Sequence, residues 1–167
     1  ADPGDAIARC DIYGEHRLLG LLSNIPGSPI MPGNCVDIYN NAHDSYDAIL
    51  QAMENAERFI HIQFYIVRAD GIGERFKQLM IRKAAEGVAV RLLFDGVGSY
   101  KLSGAYTRQL KRAGVEVHSF LAPLIAFFDK RINYRNHRKI VVVDGKVGFL
   151  GGINIGDEYV GEDPKLG

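Results

Sequence analysis

An α/β fold with a mixed, largely parallel sheet flanked by helices is predicted, because two hydrophobic periods take turns along the sequence. Apolar runs of strand type alternate with amphipathic runs of helical type, and the breaks between them carry Gly, Pro, Asn or Asp. The length agrees, since 167 residues can bury a sizeable core within one domain.

Residues 1–34 read as an N-terminal arm: an amphipathic stretch, HRLLGLLSNI, is followed by Pro26, Gly27, Pro29, Pro32 and Gly33, which break regular structure. Residues 35–167 read as a single domain. CVDIYN is expected to open it as a strand, and Asp44 to cap a helix with Ile49, Ala52, Met53 and Ala56 on its apolar face. In RFIHIQFYIV, alternation sets Ile60, Ile62, Phe64 and Ile66 on one face and His61, Gln63 and Tyr65 on the other. A second helix is expected over residues 73–86, with Phe76, Leu79, Met80 and Ala84 on one stripe. VAVRLLF then reads as a buried parallel strand. A third helix covers residues 104–113, Gly114 ends it, and VEVHSF returns to strand. RKIVVVDGKVGFL closes the pattern as a hairpin turned at Asp144 and Gly145.

Twenty basic and twenty acidic residues cancel, so no whole-molecule attraction to nucleic acid or to an anionic membrane is expected. Cys10 and Cys35 form no metal-binding or disulfide pattern. No apolar run is long enough for a membrane span, and the start lacks a secretory pattern, so the segment is expected to be soluble. It opens at Ala1 instead of Met and stops just after its most motif-rich stretch, which marks it as a segment of a longer protein.

That stretch, NHRKIVVVDGKVGFLGGIN, carries the chemistry. His137 and Lys139 stand two apart on an expected strand, so an imidazole and an ammonium share one face and can converge on one phosphate. Lys139 is suited to neutralising non-bridging oxygens. Gly151 and Gly152 admit a close ligand, and the Asn154 amide can donate to a phosphoryl oxygen. Asp144 falls on the opposite strand face, where holding the turn is a better use than direct chemistry. DGVGS, after VRLLF, could form a phosphate nest on a nucleotide-binding module, but it lacks the third glycine of a dinucleotide fingerprint.

His137, Lys139 and Asp144 match the HxKx4D signature of the phospholipase D superfamily, and GGIN resembles its trailing GG/GSxN element. Together with GVAVRLLFDGVGS and IHIQFYIVRADGIG, the stretch resembles the N-terminal catalytic half of a bacterial cardiolipin synthase. The resemblance implies a phospholipase D-like half whose catalytic set is His137, Lys139 and Asp144. It also implies a phosphate site of Lys139, Gly151, Gly152 and Asn154, with no cofactor and no metal. Gly152 stands where many members carry Ser, and Gln63 where relatives often carry Glu, so Gln63 is given no catalytic role. In the superfamily a downstream acid often orients the histidine, and Asp157, Glu158, Glu162 and Asp163 are available, unless the true partner lies beyond Gly167.

By the same resemblance the parent enzyme joins two phosphatidylglycerol molecules into cardiolipin plus glycerol through a phosphohistidine, at the bacterial inner membrane. The chemistry needs two histidines, one as nucleophile and one as acid and base. The chain has one motif, so the second HxKx4D half must come from elsewhere in the parent chain or from a second copy. The alternative is a phosphodiesterase or nuclease of the same superfamily completed by homodimerisation. The loop LAPLIAFF before the basic segment KRINYRNHRK is suited either to acyl-chain contact or to burial.

Overall fold

The computed structural model describes residues 20–22, 24–27, 33–121 and 135–161. The chain divides into two compact units, Ala1–Ile38 and Tyr39–Gly167. In the first, the Asn24 side chain donates to the Gly20 carbonyl at 2.8 Å, closing a turn. Most of the amphipathic arm lies outside the described residues, and so do Cys10 and residues 122–134 of the LAPLIAFF loop and its basic continuation. No strand forms over 35–40, where one was expected, and Val36 and Ile38 are 81% and 90% exposed. Alternation makes a strand only where a neighbouring ladder takes up the backbone groups.

In the second unit the order is α1 (Ala42–Glu54), β1 (Phe59–Phe64), α2 (Gly71–Ala85), β2 (Ala89–Asp95), α3 (Gly104–Arg112), β3 (Glu116–Phe120), β4 (Ile140–Val143) and β5 (Val147–Leu150). The five strands form one sheet in the order β3-β2-β1-β4-β5. β1, β2 and β3 run parallel, while β4 is antiparallel to both β1 and β5. The crossovers through α2 and α3 step in the same direction along the sheet, so right-handed connections put both helices on the same face. That face holds Ile60, Ile62, Phe64, Val90, Leu92, Val117, Val141 and Val143, buried beneath Tyr46, Met53, Phe76, Met80 and Leu110 of the helices. Tyr46 and Phe64 both meet Phe76 edge to face, with centroids 5.9 and 6.4 Å apart.

The other face carries a polar row in which Arg91 stands between His61 and Glu116. Arg91 donates to Glu116 at 2.8 Å and lies 3.2 Å from His61 Nε2. VAVRLLF is therefore parallel as expected but buried on one face only, because the three helices cover one side of the sheet. Local signals account for most helix ends. Asn41, not Asp44, caps α1, since its side-chain oxygen accepts from the Asp44 amide at 2.8 Å. Asp70 caps α2 and Ser103 caps α3.

Asp144 belongs to this framework. It and Gly145 both have positive φ, 55° and 69°, the sign pattern of a type I′ turn, and Lys146 N donates to Val143 O at 3.0 Å. The carboxylate leaves its own hairpin and accepts from the backbone amides of Glu57, Arg58 and Phe59 at 2.9, 2.8 and 2.8 Å. It thus seals the start of β1, at the opposite end of β4 from Lys139. Asp144, which the resemblance puts in the catalytic set, has its oxygens bonded to three amides and orders the β1–β4 pair.

Those amides, Glu57 foremost, hold the Asp144 carboxyl at about 2, below its ordinary value of 3.8. A depressed folded value means that the contribution to stability is complete above the unfolded value and is lost as pH falls through the folded one. Asp144→Asn is expected to melt below wild type at neutral pH, with the gap closing between about pH 4 and about pH 2. A gap in melting temperature that stays constant across that range counts against the clamp.

Candidate active site

Polar side chains that a core buries need partners, and four of them gather past the carboxyl ends of β1 and β2. Asp95, Ser99, Lys139 and Asn154 are each no more than 5% exposed. β1 stops at Phe64, and the chain leaving it is held by buried side chains together with an isolated parallel bridge between Val67 and Ile155. Asn154 Oδ1 accepts from Ile66 N at 3.0 Å, and Ser99 Oγ accepts from Val67 N at 3.0 Å. Alternation consequently breaks: Val67 is buried where Ile66 was expected to be.

The antiparallel register of β4 delivers the motif to this place. Gln63 pairs with Ile140, so the residues before Ile140 run alongside the end of β1. His137 and Lys139 lie on this lead-in, not within the strand, yet they meet as the two-residue spacing predicts. Lys139 Nζ is 3.0 Å from His137 Nδ1, 3.1 Å from Nε2 and 2.9 Å from the His137 carbonyl. Nearly equal distances to the two ring nitrogens place the ammonium against the imidazole as a whole. Desolvation pulls the Lys139 pKa below its ordinary value. A buried ammonium of this kind is stabilised by a nearby anion.

Tyr65 completes the arrangement and was not singled out from the sequence. Its ring lies 4.6 Å from the His137 ring and 5.2 Å from Lys139 Nζ, so one aromatic face supports both groups. Gly98 makes room for it, because a Cβ there would stand 2.6 Å from Tyr65 O and 2.7 Å from Cε2. His137 itself is exposed and opens onto a depression lined by Phe120, Arg135, Asn136 and Arg138.

In the trailing element, the Asn154 side chain is bonded within the protein. Asn154 donates through Nδ2 to the Tyr159 hydroxyl at 2.6 Å, and the Tyr46 hydroxyl donates to its carbonyl. It therefore acts as a strut between β1 and the 3₁₀ turn Asp157–Tyr159. Gly151 and Gly152 are exposed, and a Cβ at either would meet nothing within 4 Å. The protein itself does not require glycine there, which leaves room for a ligand.

Of the acids considered for orienting His137, Asp157 accepts from Gly71 N and Ile72 N at the start of α2, and Glu158 pairs with Arg68 at 3.4 Å. Glu162 and Asp163 lie outside the described residues. His61 sits on the polar sheet face beside Arg91. The DGVGS amides are also occupied, because Val97 N and Gly98 N donate to Asp95 at 3.0 and 2.8 Å. That closes the nest to a nucleotide. Among the described residues no group of three or more His, Cys, Asp or Glu side chains is placed to hold a metal ion, and no helix is long and apolar enough to cross a membrane.

The family described as cardiolipin synthase, phospholipase D-like domain, matches residues 49–163. A cardiolipin synthase of Alkalihalophilus pseudofirmus is 48% identical over 92% of this chain, and cardiolipin synthase A of Pseudomonas putida is 46% identical over 91%. The chain spans 31% and 32% of the length of these two relatives. Among solved structures, the phospholipase D family member Nuc from Salmonella typhimurium aligns with a TM-score of 0.52 at 17% identity, over 68% of this chain and 66% of its own. NucT from Helicobacter pylori aligns with a TM-score of 0.54 at 17% identity, over 70% of each chain. These two alignments bear on the fold alone.

Gly98→Ala is expected to destabilise the protein by about 1–3 kcal/mol through overpacking against Tyr65. Gly151→Ala and Gly152→Ala should stay within about 0.5 kcal/mol of wild type in urea denaturation. Equal losses at all three positions would remove the distinction between a packed and an open glycine.

Proposed function

Because the chain belongs to the cardiolipin synthase family of phospholipase D-like domains, we propose that it supplies the nucleophile half of a phosphatidyl-transfer site whose parent protein makes cardiolipin from phosphatidylglycerol. The observation that carries this reading is the buried Lys139 ammonium against the ring of an exposed His137. When a phosphodiester enters, the ammonium turns from the ring to the non-bridging oxygens and leaves a ring nitrogen of His137 facing phosphorus. That nitrogen attacks phosphorus, the bond from phosphorus to the glycerol oxygen breaks, and glycerol leaves with a proton from the histidine of the second HxKx4D half. A hydroxyl of a second phosphatidylglycerol then attacks phosphorus, returns its proton to that histidine and releases His137.

The second half comes from the remainder of the parent chain, which the relatives' greater length favours, and the parent works at the bacterial inner membrane. Tyr65 holds the imidazole and the ammonium in one geometry, and Gly151 and Gly152 leave the phosphate an open approach. The isolated segment is expected to be nearly inactive, because one histidine cannot be nucleophile and acid at once.

The test uses the full-length parent with phosphatidylglycerol labelled at phosphorus. An alkali-stable, acid-labile label on the peptide containing His137 is expected, and label on the other histidine alone would overturn the assignment of nucleophile. His137→Ala should lower kcat by more than about a thousandfold, whereas plasmid nicking that depends on His137, without lipid transfer, would establish the nuclease instead.

The depressed Lys139 pKa also sets a pH limit. The ammonium form is lost earlier than in an ordinary lysine, so kcat/KM should decline on the alkaline side below the usual lysine range. Lys139→Arg, which does not titrate there, should be slower at neutral pH but lack that alkaline decline.

A further inference from the structure

DGVGS and Gln63 are left over by the proposed chemistry, and they converge on the residue just before His137. Asp95, the last residue of β2, is fully buried, and its two oxygens do different work. Oδ1 accepts from Val97 N and Gly98 N, both in its own loop. Oδ2 reaches across the sheet end and accepts from the backbone amide of Asn136 at 2.9 Å. From β1, Gln63 Nε2 donates to the Asn136 side-chain oxygen at 2.7 Å. Arg135 Nη1, buried and without a hydrogen-bond partner among the described residues, stands 4.0 Å from Asp95 Oδ1 and offsets its charge.

We propose that Asp95 and Gln63 are positioning residues that clamp Asn136, Asp95 by its backbone and Gln63 by its side chain, so that His137 is presented to the reacting phosphorus at a fixed height over Tyr65. A carboxylate in the core costs several kcal/mol in desolvation, and the loop alone does not require it, since one amide oxygen could accept from both Val97 N and Gly98 N. The second oxygen, and with it the charge, serves Asn136. Asparagine at position 95 would turn an NH2 group toward the Asn136 amide, donor against donor, and release the lead-in. A misplacement of about 1 Å at a reacting group costs up to about a hundredfold in rate.

This inference rests on the transfer chemistry above, and its test separates the two in the full-length parent. In Asp95→Asn, kcat for transfer should fall about 10- to 100-fold with KM within about twofold. Hydrogen exchange read by mass spectrometry should show protection lost in peptides over residues 135–139 and kept in β2 and β4. Gln63→Leu, which leaves the Asp95 bonds in place, and Asn136→Leu should each lower kcat. Their double variant should be no slower than the slower single one, because both remove the same bond. Wild-type kcat in Asp95→Asn, exchange that rises across the whole sheet, or strictly multiplicative losses in the Gln63 and Asn136 pair would overturn the clamp. Should wild type transfer no phosphatidyl group at all, the functional reading fails, while local deprotection in Asp95→Asn still decides the clamp.

Discussion

The antiparallel ladder between β4 and β1 is the constraint from which the rest of the site follows. Had β4 joined the sheet parallel to its neighbours, its leading residues would lie at the amino end of β1, away from the loops that follow the strands. Because it runs the other way, with Gln63 opposite Ile140, the residues entering β4 arrive where β1 and β2 end. That end of an open α/β sheet is where connections diverge and leave a crevice. Asp144 fixes this pairing from the far side by closing three amides at the start of β1.

The crevice is built from groups that a core does not hold unless they are paired. Ser99 and Asn154 receive the backbone as it leaves β1, and Asp95 receives its own loop together with Asn136. Each contact satisfies a backbone amide that could no longer find a ladder partner, so the end of the sheet stays ordered without further strands. Lys139 differs from the others. Among the described residues it has no carboxylate partner, and burial weakens its hold on the proton. On the proposed function, an order suited to an anion is present before the anion arrives, and such preorganisation is the main source of electrostatic catalysis.

Local features of the sequence account for much of this. The two periods placed the helices and all five strands of the sheet to within a few residues, the Asp-Gly pair set the hairpin, and the spacing of His137 and Lys139 put imidazole and ammonium together. The strand expected over 35–40 failed because alternation reports the side of a strand and not the existence of a partner. VAVRLLF, apolar throughout but for Arg91, gave no sign that its second face stays open. Tyr65, Asp95 and Asn136 were hard to read for a different reason: their partners are distant in sequence, with Asp95 and Asn136 standing 41 positions apart.

What the sequence determined by itself, then, was the α/β class and the motif, since period and spacing are local properties. Only the tertiary structure decided how the motif is used. Three amides at and just before the start of β1 engage Asp144, a tyrosine hydroxyl and a strand-end amide make Asn154 a strut, and Gly98 lets Tyr65 stand beside His137. The physical reason is the same in each case. A polar side chain acts on whichever group the fold brings within about 3 Å of it, and pairing between separate strands and loops, not neighbourhood along the chain, chooses that group.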